Sequence, residues 1–382
     1  MDLYRYFKSQ EWFELEQHQL FERCWLFAGL STSLTHPEQF LRRKIMGRDL
    51  IFRRHPSGRL ICRHNRCAHR GGPFVLEDSG SRGNICRYHC WRYDDEGKLA
   101  NIPNSKEYND GGQMPLACLD SVHVLEIGVF IFIHLGNNPI TFESQYGPDV
   151  QPILEKISCT LADKYSYTQF DCHYNWKLNF ENVIDGNHIS FVHPSSFGRI
   201  VGDVTTSKDT VVDSDWFANG TGTMRNLNVF NGIVYPAEDI KSISCITRRE
   251  LKHVERWYSP AFPSVGDRGG HLALQLFPNC NIGSIHGEMY YLQFYEPISP
   301  DLTTFHSWVV TAMHEVAFTE KMPSLLWGMH HAEKKVIDED RVILEATHAS
   351  LTPDAKQMLG KYDANVGRFR QWLASNIYQR SE

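Results

Sequence analysis

Two mixed cysteine–histidine pairs constrain this 382-residue chain more than any other feature of its sequence. The first pair is Cys67 and His69, with one residue between them, and the second is Cys86 and His89, with two. Sixteen residues separate His69 from Cys86. Few chemistries require this pattern, so we expect the fold to bring two short loops together around these four side chains.

The four side chains suit a [2Fe–2S] cluster in which two thiolates hold one iron and two imidazoles hold the other. Imidazole ligands reduce the negative charge of such a cluster and raise its reduction potential to roughly −150 to +300 mV. Gly71 and Gly72 permit tight turns that direct backbone N–H groups at sulfur. Zinc is the alternative metal, but zinc fingers usually group Cys with Cys and His with His. A disulfide between Cys67 and Cys86 is disfavoured, because nothing else in the chain indicates an oxidising compartment.

A second group of metal-binding side chains follows at Asp185, His188 and His193. On a helix, Asp185 and His188 would share one face, since they are three residues apart. A regular helix would separate His188 from His193 by about 140°, so we expect the helix to end or bend between them. Pro194 supports that break, because it disfavours the helical conformation of the residue before it. Two histidines and a carboxylate on one face of an iron leave positions open for dioxygen and substrate, and the carboxylate need not be Asp185.

The two motifs together resemble the Rieske non-haem iron oxygenases, in their large (alpha) oxygenase subunit of the aromatic-ring-hydroxylating type. The resemblance rests on Cys67–Gly71 and Cys86–Trp91, with departures at Arg87 and Cys90, where the family often has Pro and Gly. We expect the thiol of Cys90 to pack against its neighbours. The resemblance implies that the cluster ligands are the four side chains of the pairs, Cys67, His69, Cys86 and His89.

The resemblance also implies which residues serve the second metal. His188, His193 and Asp340 would hold a mononuclear iron, and Asp338, in the same acidic run, is the alternative carboxylate. Asp185 resembles the bridging aspartate of the family. Its implied role is to link the iron ligand His188 to a Rieske histidine of a neighbouring subunit, which by position is His89, and so to carry electrons between subunits.

The implied activity is that of a terminal oxygenase, with electrons from NAD(P)H arriving through a separate reductase or ferredoxin and O2 as cosubstrate. We expect dihydroxylation of an aromatic substrate, because aromatic side chains flank the iron motifs, at Phe180, Phe191, Phe197 and Trp327. The sequence does not identify the substrate-binding residues.

Two alternatives stay open. A monooxygenase or demethylase would act on an O-methyl, N-methyl or quaternary ammonium substrate, since aromatic faces also bind cations. Family members with quaternary ammonium substrates often have Glu at the bridging position, where this chain has Asp185. From a different class, the chain would be a Rieske electron carrier or redox sensor with a degenerate second site.

Charge and cysteine usage limit the partners. The net charge is −6, yet residues 38–100 contain 14 Lys and Arg against 7 Asp and Glu. This basic stretch is either a solvated face or a docking surface for an acidic electron donor. The acidic total excludes a typical nucleic-acid-binding protein. The other eight cysteines are scattered and show no pattern of paired disulfides. No signal peptide is visible. The most apolar run, 129–135, is too short to cross a bilayer. We therefore expect a cytoplasmic protein without a membrane partner.

The order of the segments predicts an α+β protein with a helical segment at 1–37, a small antiparallel β Rieske domain at 38–152, and a catalytic domain at 153–382. The resemblance gives the last domain a helix-grip fold, an antiparallel sheet wrapped around a helix, with the N-terminal segment packed on it. Apolar periodicity predicts helices at 11–26, 323–349 and 353–374, and turn residues predict a linker at 136–152. Strand-like runs lie at 50–52, 59–62, 129–133, 272–277 and 289–294. No small subunit is evident, so we expect a head-to-tail homotrimer.

Overall fold

The computed structural model describes residues 2–108, 116–201, 229–230, 233–234, 239–250, 255–262, 270–360 and 363–379. The chain forms two units. The small unit spans Phe27–Pro139, and the large unit combines Met1–Leu26 with Ile140–Glu382. The domain boundaries predicted from the sequence, 38 and 152, lie about a dozen residues further along the chain than the two ends of the small unit. The unit begins earlier than predicted because its first strand starts at Trp25, and it ends earlier because helices take the place of the predicted linker at 136–152.

Antiparallel strands make up the small unit. They are β1 (Trp25–Leu30), β2 (Gln39–Ile45), β3 (Arg48–Arg54), β4 (Leu60–His64), β5 (Ser79–Ser81), β6 (Arg92–Tyr93), β7 (Leu99–Asn101), β8 (Ser121–Ile127) and β9 (Phe130–His134). Seven of them form one sheet in the order β1-β9-β8-β4-β3-β2-β5, and β6 and β7 pair separately. The loop after β4 carries Cys67 and His69, and the loop before β6 carries Cys86 and His89. The fold thus brings the two Cys–His pairs to neighbouring loops, as expected.

The large unit is built on a second antiparallel sheet. Its strands are β10 (Leu161–Cys172), β11 (Val229–Phe230), β12 (Ile233–Val234), β13 (Cys245–Glu250), β14 (Gly270–Leu276), β15 (Cys280–Ile285), β16 (Met289–Ser299) and β17 (Leu302–Ala312). Six of them are ordered β10-β17-β16-β15-β14-β13, while β11 and β12 pair with each other. Strands β14 and β15 are buried along their whole length.

The helices are α1 (Leu3–Lys8), α2 (Gln10–Gln19), α3 (Phe142–Tyr146), α4 (Val150–Ser158), α5 (Trp176–Ile184), α6 (Ile189–Val192), α7 (Phe197–Val201), α8 (Met322–Ala349) and α9 (Ala364–Leu373). The long helix α8 packs on the sheet of the large unit. There the amide of Gln293 on β16 donates a 2.7 Å hydrogen bond to Glu333 on α8. The predicted α+β class, with antiparallel sheets and a helix held against the larger one, is confirmed. No helix in the described part of the chain is both long and apolar enough to cross a membrane.

A buried network of charged and polar side chains holds the N-terminal helices to the rest of the large unit. The carboxylate of Glu16 on α2 is fully buried and accepts hydrogen bonds from Lys177 (2.5 Å), Trp176 (2.7 Å) and Tyr378 (2.6 Å). Burial lowers the pKa of Lys177, and Glu16 opposes that effect by stabilising the ammonium. Because Lys177 and Trp176 begin α5, this network fixes the helix that ends immediately before Asp185.

Three predicted helical or linker segments differ from the structure. Helix α2 ends at Gln19, and Trp25 and Leu26 lie in β1, because the apolar run 24–30 is buried on every side as a strand. Residues 353–360 contain no helix, since Pro353 and Gly360 disfavour a continuous one. The predicted linker 136–152 contains α3 and the start of α4. The helix predicted at 323–349 and the five strand-like runs are confirmed.

Candidate metal centres

The two cysteines of the small unit lie in its interior. Cys67 is 2% exposed and Cys86 is 1% exposed, and both belong to one apolar core with Phe74 and Trp91. Each loop is closed by backbone hydrogen bonds, from Cys67 to the carbonyl of Gly72 and from Cys86 to the carbonyl of Trp91, both 2.9 Å. The backbone turns therefore fix the positions of the two sulfur atoms.

The two histidines lie nearer the surface than the cysteines. The rings of His69 and His89 have centroids 4.8 Å apart, and His69 stacks on Trp91 at 4.4 Å. Nδ1 of His69 is buried and has no hydrogen-bond partner among the described residues. Two buried sulfurs and two adjacent imidazoles, one with an unsatisfied nitrogen, fit the mixed ligand set of a Rieske cluster.

Hydrogen bonds to sulfur are already in place. The Tyr93 hydroxyl lies 3.1 Å from Sγ of Cys67, and the backbone N–H of Tyr88 donates to Sγ of Cys86 at 3.4 Å. Burial raises the pKa of the Cys67 thiol, and the Tyr93 hydrogen bond opposes that by favouring the thiolate. A Cβ atom added to Gly72 would lie 3.1 Å from Sγ of Cys86 and 2.8 Å from Cβ of Tyr88, so the loop needs glycine there. Sequence reasoning predicts the ligands but missed Tyr93, whose position on β6 only the fold reveals.

Cys90 corrects one expectation. Its side chain is exposed, not packed, and its backbone has φ of 56°, in the left-handed region. Glycine adopts that conformation without strain, which explains why the resembling family often has glycine at this position.

Two of the arginines near the cluster loops are paired with acids, and a third is buried. Arg66 pairs with Asp120, and Arg87 with Glu77 at 2.7 Å. Arg63 is buried, so it contributes nothing to a surface patch. The basic stretch predicted from the sequence is therefore a weaker electrostatic feature than its charge count indicates.

The second site lies in the large unit, where α5, α6 and α8 meet. Nε2 of His193 is 3.0 Å from Oδ1 of Asp340, and Nε2 of His188 is 3.7 Å from the same oxygen. One ligand atom from each of the three residues lies within 4.8 Å of the others. Oδ1 of Asp340 is buried, and the two imidazole nitrogens are the polar groups that face it. Two imidazole nitrogens around a buried carboxylate oxygen fit a facial triad for a divalent iron.

The local backbone differs in part from the expectation. Helix α5 ends at Ile184, so Asp185 and His188 do not share a helix; Asp185 caps α5 and His188 begins α6. Helix α6 ends at Val192, which leaves His193 outside the helix, as Pro194 predicts.

The neighbouring acids have separate roles. Asp338 forms ion pairs with Lys334 and Arg341 and so does not face the histidines. Glu339, which sequence reasoning missed, accepts hydrogen bonds from Nδ1 of His193 at 2.8 Å and from the hydroxyl of Ser196 at 2.5 Å. A hydrogen bond at Nδ1 leaves Nε2 of His193 free to bind metal. Only the fold could reveal this contact, because 146 residues separate its partners.

These contacts shift the ionisation of the site. Burial lowers the pKa of His193, but Asp340 and Glu339 outweigh burial and leave that pKa raised. Burial raises the pKa of Glu339, but Ser196 and His193 outweigh burial and leave it lowered. Asp340 and Glu339 favour the protonated form of His193, and a divalent cation bound to the ring would replace that proton.

Asp185 lies beside the triad. Its Oδ2 is 3.4 Å from Nδ1 of His188, and its Oδ1 accepts a 2.7 Å hydrogen bond from the backbone N–H of Asn187. Of the aromatic residues predicted near the iron, Phe197 lies 6.4 Å from the His193 ring, Phe180 is buried in the core, and Phe191 and Trp327 are exposed.

These two sites define the chain as a protein with a Rieske cluster in one domain and a mononuclear metal site in another. Residues 24–122 match the model of the Rieske [2Fe–2S] domain, and residues 160–379 match that of the ring hydroxylating alpha subunit, catalytic domain. The second match covers more than half of the chain, and the chain belongs to this family.

Three curated relatives are similar over about half of the chain. The anthranilate 1,2-dioxygenase large subunit of Acinetobacter baylyi is 28% identical over 49% of this chain and 41% of its own length. The carnitine monooxygenase oxygenase subunit of Acinetobacter pittii is 26% identical over 50% of this chain and 51% of its own length. The glycine betaine monooxygenase oxygenase subunit of Pseudomonas aeruginosa is 26% identical over 50% of this chain and 44% of its own length. The aligned segment thus spans about half the length of each relative.

Solved structures share the fold over nearly the whole chain. A quaternary ammonium Rieske monooxygenase superimposes with a TM-score of 0.73 at 17% identity, covering 98% of this chain and 94% of that one. The naphthalene 1,2-dioxygenase of Rhodococcus sp. has a TM-score of 0.68 at 15% identity, with the same coverage. Both likenesses establish the fold.

Proposed function

We propose that this protein is the terminal oxygenase component of a multicomponent Rieske oxygenase, with Cys67, His69, Cys86 and His89 as cluster ligands and His188, His193 and Asp340 as iron ligands. The observation that carries the proposal is the meeting of three distant residues, with the Asp340 oxygen 3.0 and 3.7 Å from the two imidazole nitrogens. When bound, the cluster supplies single electrons and the iron activates dioxygen. An external reductase or ferredoxin, fed by NAD(P)H, would provide the electrons.

The chain's own residues orient the iron ligands. Glu339 accepts the Nδ1 proton of His193, and Asp185 lies where it can do the same for His188, so both Nε2 atoms point at Asp340. The hydrogen bond to Glu339 fixes the tautomer of His193, and the three ligands occupy one face and leave the other side for substrate and dioxygen.

For the substrate we favour a quaternary ammonium or other N-methylated cation over an aromatic ring. Two of the three relatives described act on carnitine and glycine betaine by name. A feature of this chain agrees with them: Glu333 lies two helical turns before Asp340 on α8, on the same face, and is 7% exposed. Burial raises the pKa of Glu333 to about 7. This carboxylate, about 10 Å along the helix from Asp340, would stabilise the cationic end of an extended substrate and would disfavour a hydrocarbon.

Aromatic-ring dihydroxylation, the reaction expected from the sequence, is the second candidate. It is favoured by the similarity to anthranilate 1,2-dioxygenase, and by Asp185 at a position where quaternary ammonium enzymes often have Glu.

We infer that electrons pass between subunits of a head-to-tail homotrimer, from His89 of one protomer through Asp185 of the next. A surface groove of about 990 Å³ supports this proposal, because its lining includes exposed apolar side chains next to the iron site. Phe191, between the two iron-binding histidines, is 73% exposed, and Val342, two residues after Asp340, is 62% exposed. Exposed apolar groups of this kind mark interaction surfaces.

The test is oxygen consumption by the iron-loaded protein with a surrogate reductase. Carnitine, glycine betaine and choline are compared with anthranilate and benzoate, and the product masses are measured. We expect uptake coupled to a cationic substrate, with one oxygen atom in the product. Coupled uptake with anthranilate alone would favour the second candidate. Full iron loading without any substrate-dependent uptake would contradict the oxygenase and favour an electron carrier.

The control is Asp340→Ala, which should retain a reducible cluster and lose all substrate-dependent uptake. Uptake that survives in this variant would show that another site consumes the oxygen.

A further inference from the structure

Two buried arginines share one face of the small unit's sheet. Arg53 on β3 and Arg63 on β4 are each 6% exposed. In the β3–β4 register Arg53 faces Ile61 and Arg63 faces Ile51. Because directly paired residues, and residues two apart on a strand, lie on the same face of a sheet, the two guanidiniums are diagonal neighbours.

Neither guanidinium is fully satisfied by the protein. Nη1 of Arg53 donates to the carbonyl of Arg82, and Nη2 of Arg63 donates to the carbonyl of Asp95 at 2.5 Å. The other terminal nitrogens, Nη2 of Arg53 and Nη1 of Arg63, are buried without a partner among the described residues. Neither side chain forms an ion pair with a described carboxylate. Two charges are thus buried, each with an unused donor.

The charges repel each other. Burial, together with the guanidiniums of Arg63 and Arg82, lowers the pKa of Arg53 to about 10, and Glu38 and Asp95 oppose that shift. Burial also lowers the pKa of Arg63, against the opposing effect of Glu96 and Asp94. Both side chains still carry a proton at neutral pH. Buried charges are ordinarily paired, since an isolated charge loses its hydration without compensation, but none of these carboxylates forms an ion pair with either guanidinium.

A small cavity lies where the unpaired donors are found. It has a volume of about 10 Å³ and is lined by both arginines, by Asn84, by His64 and by four apolar side chains, Ile51, Ile61, Phe74 and Leu119. A cavity of this size accepts a single small particle, such as a water molecule or a monatomic ion, without a shift of the surrounding side chains.

We propose that this cavity binds a single monatomic anion of the halide class, with chloride as the natural occupant, between Nη2 of Arg53 and Nη1 of Arg63. A water molecule would supply lone pairs to the two donors but no charge. A halide supplies both, and it cancels one of two charges that otherwise repel. Because Ile51 and Phe74 belong to the same core as Cys67, the anion stabilises the part of the fold that holds the cluster.

The first experiment locates the ion. Crystals of the iron-loaded full chain are grown in bromide, and the anomalous difference map is calculated. We expect a bromide peak between the two guanidiniums. Density for water alone at that position, with bromide bound only at the surface, would overturn the proposal, and this experiment needs no variant.

The second experiment measures thermal unfolding in chloride and in gluconate at equal ionic strength. A ligand that binds only the folded state raises its midpoint, here by on the order of 2 to 4 °C at saturation. Arg53→Met and Arg63→Met should abolish the difference between the two salts. The matched control is Arg59→Met, an exposed arginine paired with Glu96, which should retain it. Equal midpoints in the two salts for the unaltered protein, or a chloride effect that survives in Arg63→Met, would contradict the site.

Discussion

The hydrogen bond from Tyr93 to Cys67 gives the most quantitative prediction. At 3.1 Å from a buried sulfur, the hydroxyl stabilises the more negative, reduced form of the cluster more than the oxidised form. The substitution Tyr93→Phe removes the hydroxyl and retains the ring that packs on Phe74, with centroids 5.6 Å apart. Because hydrogen bonds to more negative acceptors are stronger, this bond is worth about 1 to 1.5 kcal/mol more to the reduced form than to the oxidised form. For a one-electron couple that corresponds to a reduction potential lower by roughly 40 to 65 mV.

The assay is a redox titration of the loaded protein, followed by the visible absorption and the electron paramagnetic resonance signal of the cluster. Tyr88→Phe is the matched control. It removes the hydroxyl of a residue in the other cysteine loop. Tyr88 contacts the sulfur of Cys86 through its backbone N–H and not through its hydroxyl, and the residue is 57% exposed. We expect its potential to change by less than about 15 mV. A Tyr93→Phe potential equal to that of the control would refute the reasoning that this hydroxyl tunes the cluster.

Four further predictions follow from single contacts. Asp185→Asn should leave both metals bound but nearly abolish reoxidation of the reduced cluster by substrate and oxygen; rapid reoxidation would contradict the bridging role. Glu339→Gln should weaken iron binding by roughly 10- to 100-fold, measured by competition with a chelator, because the acceptor at Nδ1 of His193 loses its negative charge, whereas Lys335→Gln should change it little. Glu16→Gln should lower the free energy of unfolding by about 3 to 5 kcal/mol in denaturant titrations, because Lys177 then keeps a buried charge without a negative partner. The exposed control, Glu14→Gln, should lower it by less than about 0.5 kcal/mol. The carboxyl of Glu333 is neutral below its raised pKa of about 7, so KM for a cationic substrate should fall as the pH rises through that value. A Glu333→Gln enzyme with the same pH profile of KM would show that Glu333 does not bind the cation.

The sequence predicts the two metal sites more completely than the connections around them. Close pairs such as Cys67 and His69 reveal a ligand set because their spacing is itself a chemical constraint. Asp340 could be selected only through the family resemblance, since Asp338 is equally acidic, and the fold separates them by pairing Asp338 with Lys334 and Arg341.

Contacts that depend on tertiary structure leave no local trace. Glu339 reaches His193 across 146 residues, and Glu16 reaches Lys177 across 161, so neither partner shows in any periodicity. The end of α2 was missed for a related reason. The run from Trp25 is apolar at every position, and such a run suits a buried strand as well as it suits a helix.

The measurement that tests the account most directly is the iron and acid-labile sulfide content of the reconstituted protein and two variants. The unaltered chain should hold about three irons and two sulfides. Asp340→Ala should hold about two of each, and Cys67→Ser should lose the cluster and keep about one iron. An unaltered protein that holds two irons however it is loaded, or an Asp340→Ala variant that retains three, would contradict a cluster and a separate iron held by these residues.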